Sequence, residues 1–164
     1  MGISARELQR HIVQPTLAHM GINSESAINL MMGTAAIQSS FGAHLMQNSG
    51  LGLYCMTQRV HCDIWDNYLA FNEDLASDIR GLASQHEFLR EPHSELIGNF
   101  PYATAIAWLV YQQADVQLPD SEDTEGLARC WANCFVGRKD EISIARFIES
   151  YHKYGLHNAQ HEAA

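Results

Sequence analysis

Apolar residues in this chain recur at spacings of three and four almost from end to end, and that spacing leaves room for little but helices. Leu127, Cys130, Trp131, Cys134 and Phe135 trace one face of a helix. Tyr102, Ala105, Ile106, Leu109 and Val110 repeat the pattern just after Pro101, and Ile144, Phe147, Ile148 and Tyr151 repeat it near the C-terminus. Ahead of the first of these, "PDSED" supplies a proline, a capping Asp120 or Ser121, and first-turn acids. Asn23 or Ser24 caps a further segment whose stripe is Ile28, Met31 or Met32, Ala35 and Ala36. The segment Ala5 to Met20 carries Pro15 in its interior and is expected to kink or break there. Ile64 to Leu69 predicts a short helix, and Ala76 to Leu89 another. Strand-like alternation is nearly absent, so the expectation is an all-α fold of about six to eight helices.

No repeat, low-complexity tract or Gly/Ser/Pro-rich linker divides the 164 residues, which fit a single domain over 1–164. At 46% hydrophobic the chain can bury a sizeable core. Nineteen acids against ten Lys and Arg give a net charge of −9, too few cations to line a nucleic-acid backbone, so no nucleic-acid partner is expected. The longest apolar run, "AIAWLVY" (Ala105 to Tyr111), falls far short of a membrane span. "MGISAR" has neither the apolar core of a signal peptide nor a myristoylation pattern. The chain reads as made in the cytoplasm without a signal peptide.

Cys55, Cys62, Cys130 and Cys134 are expected as reduced thiols, since Cys130 and Cys134 sit one helical turn apart, too close for comfortable disulfide geometry. His61-Cys62 with Cys130 and Cys134 matches no standard zinc spacing, so no metal or other cofactor is expected. One segment departs from helical periodicity. "QNSGLGLYCMTQ", Gln47 to Gln58, holds Gly50 and Gly52 and reads as a loop or short extended piece directly after a helix with polar residues at its end.

Gln38-Ser39, followed by Gly52-Leu53-Tyr54-Cys55-Met56, resembles the motif pair of lysozyme-like lytic transglycosylases, in which Glu-Ser closes one helix and Gly-Leu-x-Gln-(Ile/Met) fills the next loop. The longer pattern is similar to small lysozyme-like proteins of tailed bacteriophages: Gly33, Thr34, Ala35, Gln38, Ser39, Phe41 and Gly42, then Gly52 to Met56, His61, Asp63, Ile64 and Trp65. The resemblance covers residues 5–154 and leaves 155–164 as a polar tail. It implies a lysozyme-like fold and a cleft for the glycan strands of peptidoglycan. Gln38 would stand at the general acid/base position, with Ser39, Gly52, Leu53, Tyr54, Cys55, Met56 and Tyr151 on the substrate side. It also implies a virion-associated location and other phage virion proteins as partners. Tyr54 fits a half-buried core role equally well, Tyr151 also fits the helix stripe, which favours core, and Trp65, Trp108 and Trp131 read as core.

The departures from the pattern decide the chemistry. Cleaving a glycosidic bond needs a proton on the leaving oxygen, supplied by a carboxylic acid with a raised pKa. Where the family has Glu this chain has Gln38, where it has Gln this chain has Cys55, and Thr57-Gln58 replaces an acid and a proline. An amide can bond the glycosidic oxygen but has no proton to give, a loss of about 10²- to 10⁴-fold. Gln38 is an engineered isostere, a product of natural drift, or a sign that Glu25, Asp63 or Asp66 has taken over. Glu25 lies roughly 20 Å of helix away, and Asp63 reads as a helix cap. The simultaneous change at Cys55 favours drift. The expected function is peptidoglycan engagement of transglycosylase or muramidase type without its acid. The alternative is a non-catalytic part of a phage tail or head–tail assembly.

Overall fold

The computed structural model describes residues 2–156, and its fold is all-α apart from one minimal hairpin. The first helix runs from α1 (Ala5–Leu8) through a π segment (Gln9–Val13) into α2 (Gln14–His19). Then follow α3 (Glu25–Ser39), strands β1 (Met46–Gln47) and β2 (Gly50–Leu51), α4 (Gln58–Asn67), a 3₁₀ turn (Leu69–Phe71) and α5 (Glu73–Leu82). Short pieces α6 (Glu87–Arg90) and α7 (Glu95–Gly98) flank a second 3₁₀ turn (Pro92–Ser94). They lead to α8 (Phe100–Gln113), to α9 (Thr124–Cys130) with its π continuation (Trp131–Val136), and to α10 (Glu141–Lys153). The polar tail expected over 155–164 lies outside the described residues beyond 156.

Pro15 neither breaks the first helix nor ends it. It has no N–H to return to the preceding turn, and the chain widens there instead: the Gln14 N–H reaches back five residues to the Gln9 carbonyl. The helix expected over Ile64–Leu69 spans Gln58–Asn67, capped by Thr57, whose Oγ1 accepts the Val60 N–H at 3.3 Å. Asp63 is therefore no cap; it accepts the Asn67 side-chain amide at 2.7 Å on the exposed face. Of the two caps offered for α3, Ser24 takes the role, accepting the Ala27 N–H at 3.3 Å. Asp123 caps α9 through the Gly126 N–H at 2.8 Å, while Asp120 closes the preceding turn on the Glu122 N–H at 3.0 Å.

The helix expected over Ala76–Leu89 stops at Leu82 because α7 and its flank capture its end. The Asn99 amide donates to the Leu82 carbonyl at 2.8 Å, and Glu95 takes the Ser84 N–H at 3.1 Å. Local periodicity carries no trace of partners that far along the chain.

Helices α3 and α8 are buried nearly all round, the behaviour of central helices. Thr34 and Tyr111 tie them, hydroxyl to hydroxyl, at 2.7 Å. Against α3 packs α10, whose Phe147 ring occupies the space a side chain at Gly33 would need. One apolar cluster runs from Leu8 to Leu156 and holds both central helices. Helix α3 is thus a fixed axis, and whatever stands at its C-terminal end is held by the core.

Candidate functional site

Helix α3 ends abruptly. Ser40, Phe41 and Gly42 take left-handed backbone angles, φ +50°, +55° and +79°. The Ser40 and Phe41 N–H groups fold back to the carbonyls of Ala36 and Ala35, at 3.0 and 3.2 Å. The last helical side chains, Gln38 and Ser39, therefore point into the connection that follows.

That connection is a tight turn. Leu51 and Met56 exchange both backbone hydrogen bonds, at 2.9 and 3.0 Å, and the Cys55 N–H closes on the Gly52 carbonyl at 3.1 Å. The piece expected to be extended or looped is thus a two-residue hairpin followed by this turn. Gly52 is demanded twice: its φ is +74°, and a Cβ there would meet the Leu96 carbonyl.

The two motif stretches meet through side chains. Ser39 Oγ donates to the Leu53 carbonyl at 2.6 Å and accepts the Gly42 N–H at 2.9 Å. Gln38 Nε2 donates to the Tyr54 carbonyl at 3.2 Å. Consecutive residues of the helix end thus hold consecutive carbonyls of the turn. A carbonyl oxygen can only accept, so the nitrogen of the Gln38 amide faces it.

The remaining candidates divide by exposure. Leu53, Tyr54, Met56 and Tyr151 are all at most 3% exposed. The Tyr54 hydroxyl bonds Thr104 Oγ1 at 3.1 Å inside the core, and burial holds that phenol well above its ordinary pKa. Burial likewise pushes Tyr151 up to about 12. Ser39 is buried, whereas Gln38 and Cys55 are half-buried at the junction. Cys55 Sγ reaches the Gln47 carbonyl at 3.7 Å, and burial raises its thiol pKa, which suppresses the thiolate. Glu25 stands at the opposite end of α3, and Asp63 and Asp66 are exposed on α4. A cavity of about 550 Å³ adjoins the helix end through Ser40 and Phe41 and one of about 560 Å³ is lined by Ile12 and Glu95; neither is lined by Gln38, Tyr54 or Cys55.

Two polar features were not legible in the sequence. No histidine pairs with a hydroxyl on sequence grounds, yet His61 Nε2 lies 2.6 Å from the Tyr102 hydroxyl, 41 residues away. The Trp65 indole N–H donates to that same oxygen at 2.9 Å. His61 Nδ1 lies 2.8 Å from His93 Nδ1, and the Nε2 of His93 lies 4.0 Å from the exposed Cys62 thiol. Burial, then the neighbouring His93, lowers the His61 pKa to about 4, so the ring is neutral near pH 7.

The second feature is Glu95, 4% exposed and the one buried acid among the described residues. In the sequence it looks like any first-turn glutamate. Among the described residues no three His, Cys, Asp or Glu side chains converge to hold a metal, and all four cysteines are free. No described helix is long and apolar enough to cross a membrane.

The arrangement at the α3 junction can donate hydrogen bonds to a bound oxygen and can accept them; Gln38 cannot release a proton. No protein family, no curated protein and no solved structure matches the chain.

Proposed function

We propose that the chain is a lysozyme-like domain of lytic transglycosylase or muramidase type that engages the glycan strands of bacterial peptidoglycan without the general acid for cleaving them. The observation that carries this reading is the junction at the end of α3, where Gln38 and Ser39 hold the consecutive carbonyls of Tyr54 and Leu53. Two stretches that suggested a glycosidase only as a pair of motifs form one unit in space. At such a junction the Gln38 amide can bond a glycosidic oxygen, and no proton follows. Carriage in a phage particle fits this role, because it brings the protein to the wall from outside the cell.

The burial of Leu53, Tyr54, Met56 and Tyr151 favours a second reading, in which the same fold serves as a non-catalytic part of a phage tail or head–tail assembly. Co-sedimentation with insoluble peptidoglycan separates the two. Retention that soluble glycan fragments compete away supports the glycan-engaging reading. No retention, together with a fixed copy number in purified particles, leaves the structural one.

A further inference from the structure

A cavity of about 560 Å³ sits where the first helix, α7 and the start of α8 meet, away from the α3 junction. Its wall mixes the polar Glu95, Glu87, Ser84 and Ser94 with the apolar Ile12 and Phe100, and no Lys, Arg or His lines it. Glu95 is the unusual member, since a carboxylate so deeply buried needs a compensating partner.

The protein supplies only part of that compensation. Glu95 Oε2 accepts the Ser84 N–H at 3.1 Å and the Asn99 amide at 2.7 Å. Oε1 has no hydrogen-bond or ion-pair partner among the described residues. It is not sealed in either: the one orphaned buried side-chain atom among those residues is the Trp131 indole nitrogen. Oε1 therefore keeps contact with solvent, and its residue lines the cavity. The guanidinium of Arg80 lies over the Phe88 ring, 4.2 Å from its centroid, and among the described residues no ion pair joins it to Glu95.

We propose that this cavity binds the terminal ammonium of an alkylamine, with Glu95 Oε1 as its counter-ion and Ile12 and Phe100 covering the methylene chain. An ammonium brings three donors to a site rich in acceptors, and the net charge of −9 favours cations throughout. A bare metal ion fits poorly, because no three ligating side chains converge there. The inference is independent of the proposed function.

Titration of the isotopically labelled protein with 1-aminopentane near pH 7, beside 1-pentanol as the neutral isostere, tests it by amide chemical shifts. The amine is expected to shift Ser84 and Asn99 and to bind at least about tenfold more tightly than the alcohol, the worth of one charge-assisted hydrogen bond. Glu95→Gln should abolish that difference. Gly98→Leu, which has room because a Cβ at Gly98 meets nothing within 4 Å, adds bulk to the cavity lining and should weaken both probes alike. Nα-acetyl-lysine methylamide identifies the source: binding as tight as the amine's marks a lysine side chain as the occupant, and weaker binding marks a free amine. Equal affinity for amine and alcohol in the wild-type protein, or no shift at Ser84 and Asn99, would overturn the proposal whether or not the variants fold.

Discussion

Placing a carboxyl at position 38 has a consequence for stability that can be worked out before any question of activity. The Gln38 nitrogen donates to the Tyr54 carbonyl at 3.2 Å. In Gln38→Glu an oxygen takes the place of that nitrogen, and it can keep the bond only while it carries a proton. Bonding to the neutral form disfavours ionisation, so the folded-state pKa rises above the ordinary glutamate value. The ionised variant loses one hydrogen bond and sets two acceptors against each other. For a half-buried side chain this amounts to about 1 kcal/mol, toward the lower end of the cost of an unsatisfied group. The sign follows from linkage. In the unfolded chain the new carboxyl loses its proton at the ordinary value, and in the folded chain it does so later. The variant should match the wild type below about pH 4 and fall behind it as the pH rises through the raised value. Urea midpoints of both proteins between about pH 4 and pH 8 would show this, since glutamine itself does not titrate. A difference that is flat with pH, or that grows toward low pH, would refute the placement of the amide against Tyr54.

Ser39→Ala should cost about 1–3 kcal/mol in a urea melt, because the Leu53 carbonyl and the Gly42 N–H lose their shared buried partner. Gly52→Ala should cost more than about 3 kcal/mol or abolish folding, which circular dichroism would register, because a left-handed φ and the Leu96 carbonyl both oppose a Cβ. His61 has a folded pKa of about 4, below its unfolded value. Its contribution is therefore complete above about pH 6.5 and is lost as the pH falls toward 4, by at most about 3 kcal/mol. His61→Phe should lower stability at neutral pH and flatten that part of the pH profile.

What the sequence disclosed and what it withheld differ in range along the chain. The helical stripes, a cap at Asn23 or Ser24 and the non-helical piece after α3 depend on neighbours a few residues apart, and these were legible. So was the pairing of Gln38-Ser39 with the Gly52–Met56 turn, but only as a resemblance between two stretches; the bonds from Gln38 and Ser39 to Tyr54 and Leu53 make it geometry. Pro15 pointed to a disturbed helix without saying that a π turn would absorb it. The end of α5 was misplaced because Glu95 and Asn99 capture it from another element. The His61–Tyr102 bond and the burial of Glu95 were invisible for the same reason: each is set by packing across many residues, and a first-turn glutamate carries no local mark of depth.

The central claim is a glycan site lacking one proton donor, and the loss of turbidity of a purified peptidoglycan suspension tests it most directly. The wild-type protein and Gln38→Glu are compared at equal concentration and at a pH where both are folded. The account predicts no clearing by the wild type and measurable clearing by the variant, with 1,6-anhydro or reducing ends on the products identifying the reaction. Clearing by the wild-type protein would contradict the account, because Gln38 cannot act as the acid. Silence from both proteins would contradict the intact-site claim and leave the structural reading.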